Sequence, residues 1–154
     1  MTNWRDRLAQ AGLSLPSAPL PNGRYRPVTV WENLAYVSGQ VSRIGDSVIV
    51  GPVDENTDPE TIKLAAEAVV LRALAAIEVS IGIDRVRQIL FLRGFVHATP
   101  AFADHSAILD HASELLVKLL GDAGEHSRSA IGVSSLPGGG MLEIELVAAI
   151  TAQD

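Results

Sequence analysis

Cysteine is absent from the chain, and with it a thiol nucleophile, a disulfide framework and any zinc site built on cysteine. Aromatic residues are scarce at 5%, so a core has to be mostly aliphatic and alanine-rich. Basic residues are outnumbered, with 12 Lys and Arg against 18 Asp and Glu. The resulting charge of −6 and pI near 5.1 argue against nonspecific nucleic-acid binding, which needs a basic face. Charges interrupt every apolar stretch before it reaches membrane-spanning length, and the N-terminus has no long apolar segment of the secretory kind. The expectation is a soluble, cytoplasmic protein with neither nucleic-acid nor membrane partners.

What is present suits one domain over 1–154, with 1–14 as an N-terminal extension. At 47% hydrophobic and 19% charged, the chain can bury a sizeable core. Asn3 to Ala11 reads as a short amphipathic helix, and Leu15 to Gly23 as a proline-rich connector. Tyr25–Trp31 and Leu34–Val41 read as a hairpin about Glu32-Asn33, with Ser47–Val50 a short third strand. Thr57-Asp58-Pro59-Glu60 is a helix start. That helix is expected to reach about Ile81, with Ala66, Val69, Ala73, Leu74 and Ile77 as its apolar stripe. Val86–His97 reads as a strand whose near-continuous apolar character implies burial on both faces. Thr99-Pro100 reads as the start of a second long helix, ending near Leu120, with Leu109, Ala112, Leu116 and Leu119 inward.

The last stretch, Ser127 to Ile150, reads as a hairpin: two β-type runs flank Leu136-Pro137-Gly138-Gly139-Gly140. Along the second run Glu143 and Glu145 share one face, and Leu142, Ile144 and Leu146 the other. The fold class is therefore α+β, a mixed β-sheet with two helices packed on one face. Nothing remains in a chain of this size to cover the other face, so oligomerisation through it is the simplest expectation.

Several local strings resemble those of the RidA (YjgF) family, also known as endoribonuclease L-PSP-like. Gly23-Arg24-Tyr25 is similar to its Gly-Pro-Tyr, and Val37-Ser38-Gly39-Gln40 to its Ser-Gly-Gln motif. Arg128-Ser129, Val133, Leu136-Pro137 and Glu143-Ile144-Glu145 keep the spacing of its C-terminal signature. The resemblance implies a chorismate-mutase-like fold, a homotrimer with clefts between subunits, and hydrolysis of 2-imino acids to 2-keto acids and ammonia without metal or cofactor. It implies Arg128 as the anchor for the substrate carboxylate and Glu143 as the group holding or activating a water. Tyr25, Ser38 and Gly39 then line the pocket, and the backbone near Ala130 meets the imine nitrogen. The chain departs from the family at Arg26-Pro27, at Glu125-His126-Ser127 and at Ser106, where asparagine is common, and so reads as a divergent branch. The implied partners are a small carboxylate or imino-acid ligand and further copies of the chain.

Each residue also has a plainer reading. Arg128 could instead form a structural ion pair with Glu143 or Glu145. Glu145 reads as solvated. His126, two residues before Arg128, is either an ordinary loop histidine or an acid–base group in the substrate site. His105 and His111 lack the spacing of a helical metal site and read as a wet helix face. Arg24 and Arg26 are surface charge or extra anion capacity. A non-catalytic protein that senses a small carboxylate in the same cleft is the competing function; an endoribonuclease is a third.

Overall fold

Asn3 caps a first helix, α1 (Trp4–Gln10), in a reciprocal capping box with Asp6. Leu8 turns into the core, and Arg5 forms ion pairs with Glu78 and Asp84. The computed structural model describes residues 2–152. A hairpin follows, β1 (Val28–Trp31) with β2 (Leu34–Val41), then a small separate ribbon, β3 (Arg43–Ile44) with β4 (Ser47–Val48). The expected third strand is thus half of a two-stranded ribbon outside the main sheet.

Asp58 caps α2 (Pro59–Ser80), accepting from the Glu60 N–H at 3.3 Å and the Thr61 hydroxyl at 3.0 Å. Pro59 sits in the first turn, where no N–H is needed. All five residues of the predicted stripe are buried. Beyond α2 come β5 (Val86–His97), α3 (His105–Leu120), β6 (Ser127–Val133) and β7 (Leu142–Ile150). Helix α3 starts later than Thr99-Pro100 predicts. Those residues make a tight turn, closed by the Phe102 N–H on the Thr99 carbonyl, and the chain stays irregular to Asp104.

The five-stranded sheet has the order β1-β2-β7-β5-β6. Ser127 to Ile150 is therefore not a hairpin. Strand β6 pairs with β5 alone, in parallel, and β7 lies between β2 and β5, antiparallel to both. The parallel pair needs a crossover, and α3 supplies it. Strand β7 is at the sheet centre because its Leu142, Ile144, Leu146, Ala148 and Ile150 are all buried against the helices. Helices α2 and α3 cover that one face.

The other face carries three cross-strand rows: Tyr36, Val147 and Phe91; Glu145, Arg93 and Ser129; Glu143, Phe95 and Ile131. Strand β5 is consequently buried on one face only within the chain, at Ile89, Leu92 and Val96. The apolar run that predicts two-sided burial instead leaves Phe91 and Phe95 half-buried on the open side. Among the described residues no helix is long and apolar enough to cross a membrane.

Close approach of α3 to the sheet depends on Gly94. A Cβ there would lie 2.2 Å from Leu109 Cδ1, and Leu109 is fully buried. Gly94→Ala is expected to destabilise the fold by about 1–3 kcal/mol through overpacking. Urea unfolding of Gly94→Ala, Leu109→Ala and the double variant checks this: the pair should couple favourably, because the truncated Leu109 leaves room for the new methyl.

Candidate functional site

Between Val37 and Gln40 strand β2 gains one residue on β7, so the Ser38–Gly39 backbone bulges where it passes Glu143. Gly39 is required there: a Cβ would lie 2.0 Å from Glu143 Oε1. The carboxylate thus rests over bare backbone at the end of the open face. Burial pushes the Glu143 carboxyl pKa up, and the charge of Glu145 two residues on pushes it further. Glu145 itself pairs with Arg93, its cross-strand partner, so it is not simply solvated.

A cavity of about 630 Å³ opens beside Glu143, lined by Tyr25, Gly39, Gln40, Arg43 and Arg72 among others. The Tyr25 hydroxyl accepts from the Asn22 N–H at 3.1 Å, which leaves its own proton free to donate. Ser38 is one residue from Gly39, but it lines a neighbouring cavity, with Tyr25 and Arg26. Its hydroxyl donates to the Arg26 carbonyl at 2.7 Å and its N–H to the Pro27 carbonyl at 2.9 Å, fastening the segment that carries Tyr25. Arg24 is exposed. The chain therefore brings Tyr25, Gly39 and Glu143 to one cavity and gives Ser38 a supporting position beside it.

Arg128 is elsewhere. Its register partner is Leu92, so its side chain lies on the helix face, and β5 separates β6 from β7. Nη1 donates to Ser113 Oγ at 2.9 Å. Nη2 donates to Ser106 Oγ at 2.8 Å and pairs with Asp110 Oδ1 at 2.9 Å. The ion pair that sequence reasoning offered with Glu143 or Glu145 is thus an ion pair with Asp110. Ser106, Asp110 and Ser113 form one stripe along α3.

His126 belongs to the same cluster. Its Nδ1 lies 2.6 Å from the Gly124 carbonyl, which can only accept, so Nδ1 carries the hydrogen. In the neutral ring Nε2 then accepts from the Ser113 hydroxyl at 2.9 Å, and Ser113 Oγ accepts from Arg128. Both ring nitrogens are occupied, and the contacts make His126 a support for Arg128 through Ser113. Ala130, opposite Gly94, is partly buried against the core. A shallow cavity of about 720 Å³ runs past Asp110, Ser113, His126 and Arg128. Among the described residues no three His, Cys, Asp or Glu side chains converge as metal ligands.

Sequence reasoning missed Arg43 and Arg72, and it noted Asp110 and Ser113 without giving them a role in the site. Two signals were available: Arg72 is the one charge in the apolar run Ala68–Ile77, and Ser106, Asp110 and Ser113 recur at helical spacing.

The raised pKa of Glu143 has a consequence for stability. Between the ordinary glutamate value and the raised one, the folded chain holds a proton that the unfolded chain has released. Stability is therefore fully present below that window and falls as pH rises through it. Urea unfolding across the window should show this fall in the wild type and a flatter profile in Glu143→Gln.

A family model described as "YjgF/chorismate mutase-like, putative endoribonuclease" matches residues 5–150. A solved protein of unknown function from Agrobacterium tumefaciens is 31% identical, with a TM-score of 0.88 over 96% of this chain and 92% of that one. The "putative endoribonuclease" of Shewanella oneidensis is 26% identical, with a TM-score of 0.90 over 97% of this chain and 100% of its own. Protein TCP17 of Trypanosoma cruzi is 29% identical over 142 residues, which is 90% of this chain and 88% of that protein. With the sheet order, the bulged Ser38–Gly39 under Glu143 and this match along nearly its whole length, the chain belongs to the YjgF (RidA) family.

Proposed function

We infer that the protein hydrolyses small 2-imino acids to 2-keto acids and ammonia, in the cytoplasm and without a cofactor, in clefts between the subunits of a homotrimer. One observation carries this reading: Glu143 is a half-buried carboxyl held over Gly39, beside a cavity that Tyr25 enters, with no ion-pair partner among the described residues. A carboxyl whose proton affinity is raised by burial is a better proton acceptor from water than an ordinary glutamate, and suits exchange of protons with water and amine. Family membership supports a RidA-type activity in general.

The chemistry asks little more. A water oxygen bonds to C2 of the imine while Glu143 takes a water proton, and the C=N π pair moves to nitrogen. Glu143 returns the proton to nitrogen, leaving an amine and a hydroxyl on C2; it then carries the hydroxyl proton to that amine, the C–N bond breaks with its electron pair on nitrogen, and ammonia leaves as the C2 oxygen becomes the ketone. The substrate carboxylate needs a cation with free donors, and Arg128 has Nε–H and one Nη1–H beyond its contacts to α3, each able to donate one hydrogen bond. Arg128 and Glu143 of one chain lie on opposite sides of the sheet, so this reading takes Arg128 from the adjacent subunit. The half-exposed Tyr36 and Ile131 and the half-buried Phe91 and Phe95 on the open face favour such assembly.

Non-catalytic sensing of a small carboxylate would use the same cleft, and ammonia release separates the two. An endoribonuclease fits less well: the net charge is −6 and no histidine lines the Glu143 cavity.

Glu143→Gln is expected to lower kcat on freshly generated 2-iminobutyrate by about a hundredfold or more, with 2-ketobutyrate binding little changed. Full turnover in that variant would remove Glu143 from the chemistry. Arg128→Ala should cost about 2–4 kcal/mol of 2-ketobutyrate affinity by calorimetry, and Arg128→Lys should recover only part of it.

The split site has its own test. Glu143→Gln and Arg128→Ala chains, each strongly impaired at substrate concentrations well below saturation, should regain about a quarter of wild-type activity there when refolded together in equal amounts, because random trimers rebuild that share of intact sites. Light scattering should give a trimer. No regained activity in mixed trimers, or a stable monomer, would overturn the inter-subunit cleft.

A further inference from the structure

The Glu143 cavity holds two arginines that the chemistry above does not use. Arg72 enters from α2, from within an otherwise apolar run, and Arg43 from the β3–β4 ribbon. Among the described residues neither forms an ion pair, although the chain has six more acidic than basic residues. Arg72 Nε is buried and has no hydrogen-bond partner. Both arginines also border a smaller cavity containing Glu67, yet neither pairs with it.

A buried donor on a cation normally finds an acceptor, because leaving it bare costs the full desolvation penalty. Here the penalty is visible: burial first, then the positive charge of Arg43, lowers the Arg72 pKa, and only Tyr25 opposes them. An anion entering the cavity would pair with the two guanidiniums that line it and relieve the repulsion between them. Glu143 does neither, since it pairs with neither arginine. The cavity thus keeps an acid and a cation pair apart in one space of about 630 Å³.

The geometry points to Arg72, assisted by Arg43, as the binding site for a second acidic group, so that the substrates are 2-imino acids whose side chain ends in a carboxylate. This deepens the proposed function and rests on it for the imine chemistry alone. The α-carboxylate goes to Arg128 of the adjacent subunit, the distal carboxylate to Arg72 and Arg43, and C2 to the water at Glu143. Bond making and breaking are those already given: water oxygen adds to C2, and ammonia leaves.

Calorimetric binding of 2-oxoglutarate and 2-ketobutyrate to the assembled protein tests this. The wild type should bind the dicarboxylate at least about tenfold more tightly. Arg72→Gln should abolish that preference while leaving 2-ketobutyrate affinity unchanged, and Arg43→Gln should reduce it severalfold. If Arg72→Gln does not fold, Arg43→Gln, on an exposed ribbon, decides the question. Equal affinity for the two keto acids in the wild type, or a preference surviving both substitutions, overturns the inference.

Ammonia release from 2-iminoglutarate and 2-iminobutyrate keeps the two readings distinguishable. Hydrolysis of 2-iminobutyrate with no dicarboxylate preference sinks the Arg72 site and spares the deaminase. An Arg72-dependent preference with no accelerated hydrolysis of either imine sinks the deaminase and leaves the dicarboxylate site standing.

Discussion

The strict two-residue alternation of β7 is the constraint on which the other parts depend. Five of its residues are locked against α2 and α3, and the alternate positions are thereby forced onto the opposite face. Glu143 is half-withdrawn from water because Leu142 and Ile144 are fully buried on either side of it. A slip of one residue would bury the two glutamates under the helices and expose the leucines. The bulge in β2 is matched to this register: it lets the chain pass the Glu143 carboxylate at Gly39 without breaking the ladder that resumes at Gln40 and Val41.

Much of this was legible in the sequence, where periodicity is strong. The boundaries of β2 and β5, the stripe of α2 and the two faces of β7 all follow from local pattern and end signals. Strand order did not follow. Leu136-Pro137-Gly138-Gly139-Gly140 has the composition of a hairpin loop, but composition says only that the chain turns, not which strand it then joins. The segment carries the chain past β5 instead, because β7 is the strand whose whole inner face is apolar and it takes the place best covered by helices.

The site was legible in its parts and not in its arrangement. Tyr25, Gly39 and Glu143 line one cavity, and only the family resemblance, not spacing, implied that grouping. Arg128 meets Asp110 instead of the nearby glutamates, since a residue's face depends on pairing that spacing does not encode. Arg43 and Arg72 were passed over for a related reason: an arginine on a helix or a short ribbon is usually surface charge. Only the cavity identifies them as cations without partners.

The central position of β7 bears on how the molecule comes to be made. It is the last strand in sequence, yet it joins β2 to β5, and those two have no ladder between them without it. During synthesis β1 and β2, and later β5 and β6, can leave the ribosome as separate pieces, each with an open edge facing an absent neighbour. The sheet closes only when residues 142–150 are clear of the exit tunnel. Until then two unpaired strand edges are available to other nascent chains, so dependence on holding chaperones should be greatest between the emergence of β5 and that of β7.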